Sequence, residues 1–222
     1  VSSARFASVG NCIFDKQYYP PLCGANPVCN TCTFSKNMII SSPNKSGKTT
    51  ILKSTVINLI FSQQFGYGFY KSAFVNPYTH IHSYINIPDT SGRDSLFQAE
   101  SRRCKEILDI IHDTDCDTRH FCIFDELYSG TNPVEASNAG NAFIQYLQQY
   151  NNVNFILTTH YTSICKKYKN HKRVQNYKMD VIIDENDNYT YTYKLKKGIS
   201  NIKGARRVLK DLNYPEQIIQ KM

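Results

Sequence analysis

The sequence predicts an α/β fold with a mostly parallel central sheet, flanking helices and an N-terminal segment rich in β-strands. Three short runs that are apolar almost throughout carry this prediction: 38–40, 121–124 and 153–157. Runs of this length bounded by polar residues are typical of buried strands. Stretches with helical periodicity separate them, and strands that alternate with helices favour a parallel sheet covered by helices.

The order of these patterns divides the chain into three parts. Residues 1–36 contain short apolar stretches interrupted by prolines and a glycine, which predicts strands and turns. We place the α/β core at 37–197 and a helical C-terminal segment at 198–222. Inside the core, the aromatic and β-branched residues of 66–90 predict further strands, and 181–195 predicts a hairpin about a polar turn.

Three helices are predicted between the strands. Over 49–64 and 95–112, apolar residues recur at helical spacing, and in the second stretch the opposite face is charged. The third helix should begin at Asn132-Pro133, because proline is favoured at the first helical position, and should end near Tyr150.

Composition and charge limit the classes of partner. The net charge is +8 and the pI is near 9.0, which favours a polyanionic partner such as DNA, RNA or a nucleotide. No apolar run reaches the roughly 18 residues that a membrane helix needs, and the N-terminal residues lack the apolar core of a signal peptide. We therefore expect an intracellular protein of the cytoplasm or nucleus without a membrane partner. Because the chain begins at Val1, we also expect it to be a piece of a longer protein.

The eight cysteines leave two alternatives open. Because the chain shows no signal peptide, we expect an intracellular protein whose cysteines are reduced. Cys29 and Cys32 have the spacing of half a zinc knuckle, and Cys12 and Cys23 lie upstream, so these four residues could bind zinc. The alternative is that they are free thiols of a strand-rich segment.

A phosphate-binding loop is predicted directly after the first buried strand. Residues 42–49 approach the pattern Gly-x-x-x-x-Gly-Lys-Ser/Thr between a strand and a helix. Such a loop points backbone N–H groups at phosphate oxygens at a helix N-terminus. Lys48 would reach the β- and γ-phosphates of ATP, and the hydroxyl of Thr49 would bind Mg²⁺. The predicted nucleotide-binding residues are Ser42, Pro43, Asn44, Lys45, Ser46, Gly47, Lys48, Thr49 and Thr50.

Ser42 departs from this pattern, which has glycine at the first position. If that position requires a positive φ, serine costs on the order of 1 kcal/mol there. The loop is expected to tolerate this cost, because Gly47 still keeps a Cβ atom out of the phosphate cradle.

An acidic pair and a histidine follow the other two buried strands. Asp125 could hold Mg²⁺, and Glu126 could polarise the attacking water as general base. His160 follows the last strand, at the edge where open α/β sheets bind ligands, and could contact the γ-phosphate. An Asp-Glu pair favours the ATP-binding-cassette-like branch of the P-loop NTPases and ATP hydrolysis. Lys48, Glu126 and His160 are therefore the catalytic candidates, with Thr49 and Asp125 as the metal ligands.

Four segments carry a resemblance to a known family. The loop from Ser42 to Thr50 is similar to Gly-Pro-Asn-x-x-Gly-Lys-Ser-Thr, and Pro43-Asn44 is its most distinctive match. The other three are Asp125-Glu-Leu-Tyr-Ser-Gly-Thr131, Thr159-His-Tyr161 and Ser95-Leu-Phe-Gln-Ala-Glu100. Together they resemble the C-terminal ATPase domain of the MutS DNA mismatch-repair family, over almost the whole chain.

The resemblance implies the same roles for the phosphate loop, the acidic pair and His160, and it adds a dimer. Ser95 would reach across to the γ-phosphate bound by a partner subunit, and Gly130 and Thr131 would lie at the subunit junction. ATPases of this family form homodimers or heterodimers with composite sites for ATP and Mg²⁺. They couple ATP to mismatched or branched DNA through domains that would lie outside this chain.

Departures from the family motifs indicate a divergent member, and a viral source, with action in a viral factory, is left open. Ser42 and Ser46 replace glycine, and Asp94 precedes Ser95. Two alternatives stand beside an ATPase for DNA mismatch repair or recombination. One is a cassette ATPase of the SMC or DNA-repair type, although Ser91-Gly92-Arg93 is a poor version of the signature that class needs. The other is a non-hydrolysing, ATP-gated dimerisation module, against which the intact catalytic candidates argue.

Overall fold

The computed structural model describes residues 1–88, 95–185, 188–202 and 204–221, so Asp94 and Ser91-Gly92-Arg93 lie outside the described residues. The strands of the described part are β1 (Ser2–Phe6), β2 (Ile13–Gln17), β3 (Asn30–Thr33), β4 (Asn37–Ser41), β5 (Tyr67–Gly68), β6 (Ser72–Val75), β7 (His80–Tyr84), β8 (His120–Asp125), β9 (Val153–Thr159), β10 (Val174–Ile183) and β11 (Tyr189–Lys197). The α-helices are α1 (Lys48–Phe65), α2 (Leu96–His112), α3 (Pro133–Leu147), α4 (Thr162–Lys167), α5 (Gly204–Asp211) and α6 (Glu216–Ile219). No helix among these residues is both long and apolar enough to span a membrane.

Six of the described strands form a central sheet in the order β11-β10-β4-β9-β8-β7. Neighbouring strands in it are parallel, except that β10 and β11 form an antiparallel hairpin. The three apolar runs are the adjacent strands β4, β9 and β8 at its centre. The predicted alternation of strands and helices is confirmed by this α/β architecture.

Both faces of the central strands are covered. Successive side chains of a strand point to opposite faces, so Met38 and Ile40 of β4 enter one core cluster and Ile39 enters the other. The first cluster also contains Leu52 and Leu59 of α1. The second contains residues of α2, α3 and α4, among them Ile107, Ile144 and Ile164. Burial on both faces explains why these strands are continuously apolar and do not alternate with polar residues.

A second sheet of described strands has the order β3-β2-β6-β1-β5. It packs on α1, which contacts β2, β5 and β6 on one side and β8 and β9 of the central sheet on the other. The predicted strands of 1–36 are therefore present, and β5 and β6, which follow α1, join them. The domain boundaries at 36/37 and 197/198 stay predictions. The second sheet combines β1, β2 and β3, which precede the 36/37 boundary, with β5 and β6, which follow it.

Capping residues fix two of the helix ends, and α3 ends at Leu147, three residues before the predicted end near Tyr150. Helix α1 stops at Gly66, whose φ is 76° and whose N–H donates to the Ser62 carbonyl oxygen at 2.8 Å. Helix α3 begins after Asn132, whose side chain accepts hydrogen bonds from two backbone N–H groups of the first turn, with Pro133 at the first helical position. The predicted start of this helix is confirmed.

The sequence patterns predict neither α4 nor the first half of β10. Helix α4 has only six residues, too few to show a helical period. The first half of β10 contains Gln175, Asn176 and Lys178 and therefore reads as polar, yet it pairs in parallel with β4. Sheet pairing with a remote strand, rather than local hydrophobicity, fixes this segment.

Three histidine rings stack at the amino ends of β7 and β8. The ring centroids of His80 and His82 lie 5.1 and 5.3 Å from that of His120. His82 Nε2 and His120 Nδ1 are 3.0 Å apart and share a hydrogen bond. Burial, with the charges of His120, His80 and Arg103 acting in the same direction, lowers the pKa of His82 from 6.5 to about 4. Burial also lowers the pKa of His120.

These histidines should make the fold less stable in mild acid. Between about pH 6.5 and pH 4 the unfolded chain binds a proton that folded His82 does not, so stability falls as pH falls through this window. We expect the free energy of unfolding, measured by urea denaturation, to be about 1–2 kcal/mol lower at about pH 5 than at about pH 7.5. His82→Gln cannot be protonated and should remove about half of this difference. The exposed control His112→Gln should leave it unchanged, and an unaltered pH dependence in His82→Gln would contradict the assignment.

Candidate functional site

The carboxyl ends of β4, β9 and β8 bring the predicted site residues to one edge of the central sheet. Ser41, the last residue of β4, is in register with Thr159 of β9, and Thr158 is in register with Asp125 of β8. The turns that follow these strands carry the phosphate loop, the histidine and the acidic pair. Residues that are remote in sequence therefore meet where open α/β sheets bind ligands.

The phosphate loop has two residues in the left-handed conformation, Lys45 (φ 64°) and Gly47 (φ 95°). The φ of Gly47 favours glycine, and a Cβ atom there would also lie 3.1 Å from Cδ1 of Tyr193, a tight contact. Ser42 is not among the described residues with positive φ, so the conditional cost of serine there does not arise. Its hydroxyl donates to the Met179 carbonyl oxygen at 3.4 Å.

The C-terminal segment closes against the same loop. The backbone N–H of Ser200 donates to Ser41 Oγ at 2.8 Å, directly before the loop. At the start of α5, a Cβ atom on Gly204 would lie 2.9 Å from Cβ of Pro43. The helical end of the chain is therefore in contact with the strand and the loop that follows it.

A buried lysine connects the loop to the acidic pair. Lys48 is 6% exposed, and its Nζ donates to the Ser42 carbonyl oxygen at 2.7 Å. The same Nζ lies 3.2 Å from Glu126 Oε1, and Glu126 Oε2 lies 3.6 Å from His160 Nδ1. The three catalytic candidates thus form one chain of contacts.

The neighbours of Glu126 stabilise its ionised carboxylate. The His160 ring 3.6 Å from its carboxylate and the charge of Lys48 lower the pKa of Glu126 from 4.5 to about 2, although burial acts in the opposite direction. The carboxyl group is therefore ionised at neutral pH. Its backbone has a φ of 55°, a conformation that costs energy outside glycine, and its N–H donates to the Thr158 carbonyl oxygen at 3.1 Å.

Thr49 and Asp125 meet as the sequence predicts for a magnesium site. Thr49 Oγ1 donates to Asp125 Oδ2 at 2.8 Å, and Thr158 Oγ1 donates to Asp125 Oδ1. Mg²⁺ commonly takes one or two protein oxygens and completes its shell with water and phosphate oxygens. This hydroxyl and carboxylate suit that ion, whereas no group of three or more His, Cys, Asp or Glu residues in the described ranges could hold a metal alone.

A cleft of about 570 Å³ opens over these residues. Ser46 Oγ, in the loop that lines it, is buried without a hydrogen-bond partner in the described structure, as expected of a group that bonds to a ligand. A second concavity of about 340 Å³ shares Gly47, Thr50 and Tyr193 with the cleft and is lined largely by apolar and aromatic side chains. A polar compartment therefore adjoins a less polar one.

Tyr193 and Asn30 belong to this region, although the sequence did not predict them. Tyr193 has a φ of 55° within β11, and its ring lies beside Gly47. Asn30 of β3 donates from Nδ2 to the Tyr193 carbonyl oxygen at 2.9 Å and accepts from the Leu195 N–H at 2.7 Å. Asn30 thus fixes the irregular backbone that directs Tyr193 at the loop.

Glu100 is a further residue that the sequence analysis did not place in the site. It is 2% exposed and lines the cleft. Its Oε1 accepts from the N–H and hydroxyl of Ser129 at 2.9 and 2.8 Å, and its Oε2 accepts from the Gly130 N–H at 3.0 Å. Glu100 therefore ties α2 to the turn that follows Glu126.

The residues predicted to act between subunits have contacts within one chain. Ser95 caps α2, since its Oγ accepts from the Gln98 N–H at 3.3 Å and its N–H donates to Gln98 Oε1 at 2.8 Å. A Cβ atom at Gly130 would lie 2.6 Å from the Phe97 nitrogen, so Gly130 packs against the start of the same helix. Thr131 donates a hydrogen bond to a carboxylate in the first turn of α3. Their roles between subunits stay predictions.

The four N-terminal cysteines do not form a ligand set in the described structure. Cys12 and Cys32 are buried in the core, and burial raises the pKa of Cys32 to about 11. Cys12 Sγ donates to the Asn76 carbonyl oxygen at 3.2 Å, whereas Cys23 is exposed. The zinc alternative therefore gains no support from their positions.

Comparison with known proteins gives a consistent result. Residues 38–222 match the family model for MutS domain V. The chain is 27% identical over 184 residues to the DNA mismatch repair protein MutS of Persephonella marina, covering 82% of this chain and 20% of that protein. It is 26% identical over 215 residues to the Endonuclease MutS2 of Staphylococcus saprophyticus, covering 93% of this chain and 26% of that protein. The chain thus spans about a fifth to a quarter of the length of these relatives.

Proposed function

Because this chain belongs to the MutS family, we propose that it is the ATPase domain of a MutS-like protein and that it binds and hydrolyses ATP with Mg²⁺ in the cleft. The observation that carries the proposal is the chain of contacts from Lys48 through Glu126 to His160 beside the phosphate loop. A P-loop NTPase fold of the ATP-binding-cassette-like type is part of the proposal. The parallel strands and the Asp-Glu pair at the end of β8 support it.

ATP binding would use the loop N–H groups and Lys48. In the described state Nζ of Lys48 is held by the Ser42 carbonyl oxygen and by Glu126, and it would exchange these partners for phosphate oxygens. The hydroxyl of Ser46 would gain the partner that it lacks. The ring of Tyr193 would pack on the base, since it lies where the polar cleft and the less polar concavity meet.

Thr49 and Asp125 would hold Mg²⁺, which when bound neutralises charge on the β- and γ-phosphates. Glu126 would act as the base toward the attacking water. Once Lys48 turns to the phosphates, one cause of the low pKa of Glu126 is lost, and its affinity for a proton rises. His160, in contact with Glu126, would then be within reach of the γ-phosphate.

ATP hydrolysis here would serve DNA mismatch repair or recombination. Relatives that carry the name DNA mismatch repair protein MutS support this assignment. DNA mismatches would be recognised by parts of the whole protein that lie outside this chain. The family match favours a MutS-like ATPase over an SMC-type ATPase. Measurable ATP turnover would argue against the non-hydrolysing module, and its absence would favour that module.

Lys48→Ala tests the nucleotide site directly. Loss of a charge-assisted contact of about 1.5–3 kcal/mol should weaken binding of a fluorescent ATP analogue by about 10–100-fold. Lys53→Ala, which removes the same charge from the body of α1, should leave the Kd within about twofold. Equal affinities for the two variants would remove Lys48 from the site.

A composite site between two subunits predicts a distinct effect at Ser95. With ATP and Mg²⁺, the Glu126→Gln variant should form dimers, as measured by sedimentation velocity. Adding Ser95→Asp keeps the helix cap but places a negative charge where a partner's phosphate would lie, so the dimer should be lost. Ser95→Thr keeps both cap and hydroxyl and should dimerise normally. Monomers throughout, or dimers in all three variants, would contradict the role of Ser95 between subunits.

A further inference from the structure

Positive charge is concentrated in one segment of the chain. From Cys165 to Met179 the sequence has five lysines and one arginine and no aspartate or glutamate, against a net charge of +8 for all 222 residues. The segment covers the end of α4, the connection to β10 and the first half of that strand. This local excess is distinct from the nucleotide site, where Lys48 is paired with Glu126.

Part of this segment forms a cleft with the end of β11. The basic cleft, of about 480 Å³, is lined by Lys166, Lys169, Asn170, Gln175, Lys197 and Asn201. Its three lysines are exposed, and amide side chains line the same cleft. With the buried Asn176, three lysines and four residues with amide side chains therefore line one concave surface.

The three lysines of the basic cleft have no carboxylate within ion-pair distance in the described part of the chain. Elsewhere, Lys105 pairs with Asp109 and Lys196 pairs with Asp180. Like charges held together without counter-charges repel one another and destabilise the fold. An anion bound between the three lysines would relieve that repulsion, which gives the basic cleft a preference for a polyanionic ligand.

A buried amide at the floor of the basic cleft supplies an independent observation. Asn176 is 3% exposed, and its Nδ2 donates to the Cys165 carbonyl oxygen at 2.8 Å. Its Oδ1 has no hydrogen-bond partner among the described residues. A water that donates one hydrogen to this oxygen could donate the other to a ligand oxygen. The floor is thus suited to an oxygen-rich ligand held through water.

The lining favours phosphate groups over bases. Lysine, asparagine and glutamine side chains are donors that proteins use toward the phosphate oxygens of nucleic acids. No aromatic side chain is among the described residues that line the basic cleft, so an unpaired base would find no ring to stack on. We propose that the basic cleft binds the phosphate backbone of a nucleic-acid duplex without reading its sequence. This binding is independent of ATP hydrolysis and separate from any DNA contact made outside this chain.

Fluorescence anisotropy with a labelled DNA duplex of mixed sequence tests the proposal, with nucleotide omitted. The test variant is Lys166→Ala/Lys169→Ala/Lys197→Ala. Its matched control, Lys53→Ala/Lys71→Ala/Lys221→Ala, has the same net charge. At low salt, the test variant should bind the duplex about tenfold or more weakly than the unmodified chain, and its plot of log affinity against log salt should be flatter by about 2–3 units. The control should stay within about threefold of the unmodified chain.

Four outcomes would overturn the proposal. The first is that the unmodified chain does not bind the duplex at low salt, so that the anisotropy does not change. Equal losses in the test and control variants would show that binding follows net charge alone. Displacement of the duplex by tripolyphosphate at the same concentration of phosphate groups would make the basic cleft a site for free anions. Equally tight, lysine-dependent binding to vesicles of phosphatidylserine and phosphatidylcholine would make it a membrane site. Circular dichroism of both variants verifies that they are folded.

Discussion

Glu126→Gln should lower the rate of ATP turnover by about 10²–10⁴-fold while ATP still binds. The amide has nearly the shape of the carboxylate, so it can keep the contacts to Lys48 and His160, but it cannot accept a proton from water. Without the negative charge, the contact to Lys48 is no longer an ion pair and is more easily exchanged for phosphate, so ATP affinity should be unchanged or higher. Phosphate release at saturating ATP and Mg²⁺ measures the first effect, and titration with a labelled ATP measures the second.

Glu106→Gln is the matched control for this change. Glu106 is about half exposed on α2 and pairs with Arg103 away from the cleft, so its turnover should equal that of the unmodified chain. Turnover in Glu126→Gln equal to that of the control would remove Glu126 as the base. If the unmodified chain itself released no more phosphate than Glu126→Gln, the non-hydrolysing dimerisation module would be the better description.

Glu100→Ala should lower the free energy of unfolding by about 3–4 kcal/mol. The change leaves the buried N–H groups of Ser129 and Gly130 and the Ser129 hydroxyl without their acceptor, and it opens space beside them. The turn that loses its support follows Glu126, so turnover should fall as well. Urea denaturation at neutral pH measures the stability of the variant.

Glu100→Gln and Glu106→Ala separate the causes of this loss. Glutamine fills the space but offers one acceptor oxygen in place of two, so it should cost about 1–2 kcal/mol. Glu106→Ala removes a carboxylate from the exposed face of the same helix and should cost at most about 0.5 kcal/mol. A loss in Glu100→Ala no greater than in Glu106→Ala would show that the three hydrogen bonds contribute little to stability.

The phosphate loop, the acidic pair and the strands that carry them could be predicted because their signals are local. A buried strand must be apolar on both faces, and a loop that receives phosphates must bring Gly47 and Lys48 together at a helix start. The structure places these predicted side chains in contact. Those contacts depend on the order of strands β4, β9 and β8 in the sheet, which cannot be predicted from the sequence of any single segment.

Tyr193, Asn30 and Glu100 could not be predicted for the same reason. Asn30 and Tyr193 are 163 residues apart, and their hydrogen bond exists because β3 and β11 belong to sheets that approach each other. Glu100 appeared only as the end of a motif, since the donors to its carboxylate lie 29 and 30 residues away in a turn without a pattern of its own. Ser42 does not carry the strain that a positive φ would impose on serine there, because the left-handed residues of the loop are Lys45 and Gly47.

The hydrogen bond from Ser200 to Ser41 limits where the chain can be shortened. A chain ending at Lys197 would keep every residue predicted to touch ATP, yet Ser41 Oγ would lose its donor and Pro43 would lose the backbone of Gly204 that lies against it. The helical tail therefore acts as a brace behind the phosphate loop. A chain without this tail should therefore still fold but bind nucleotide more weakly.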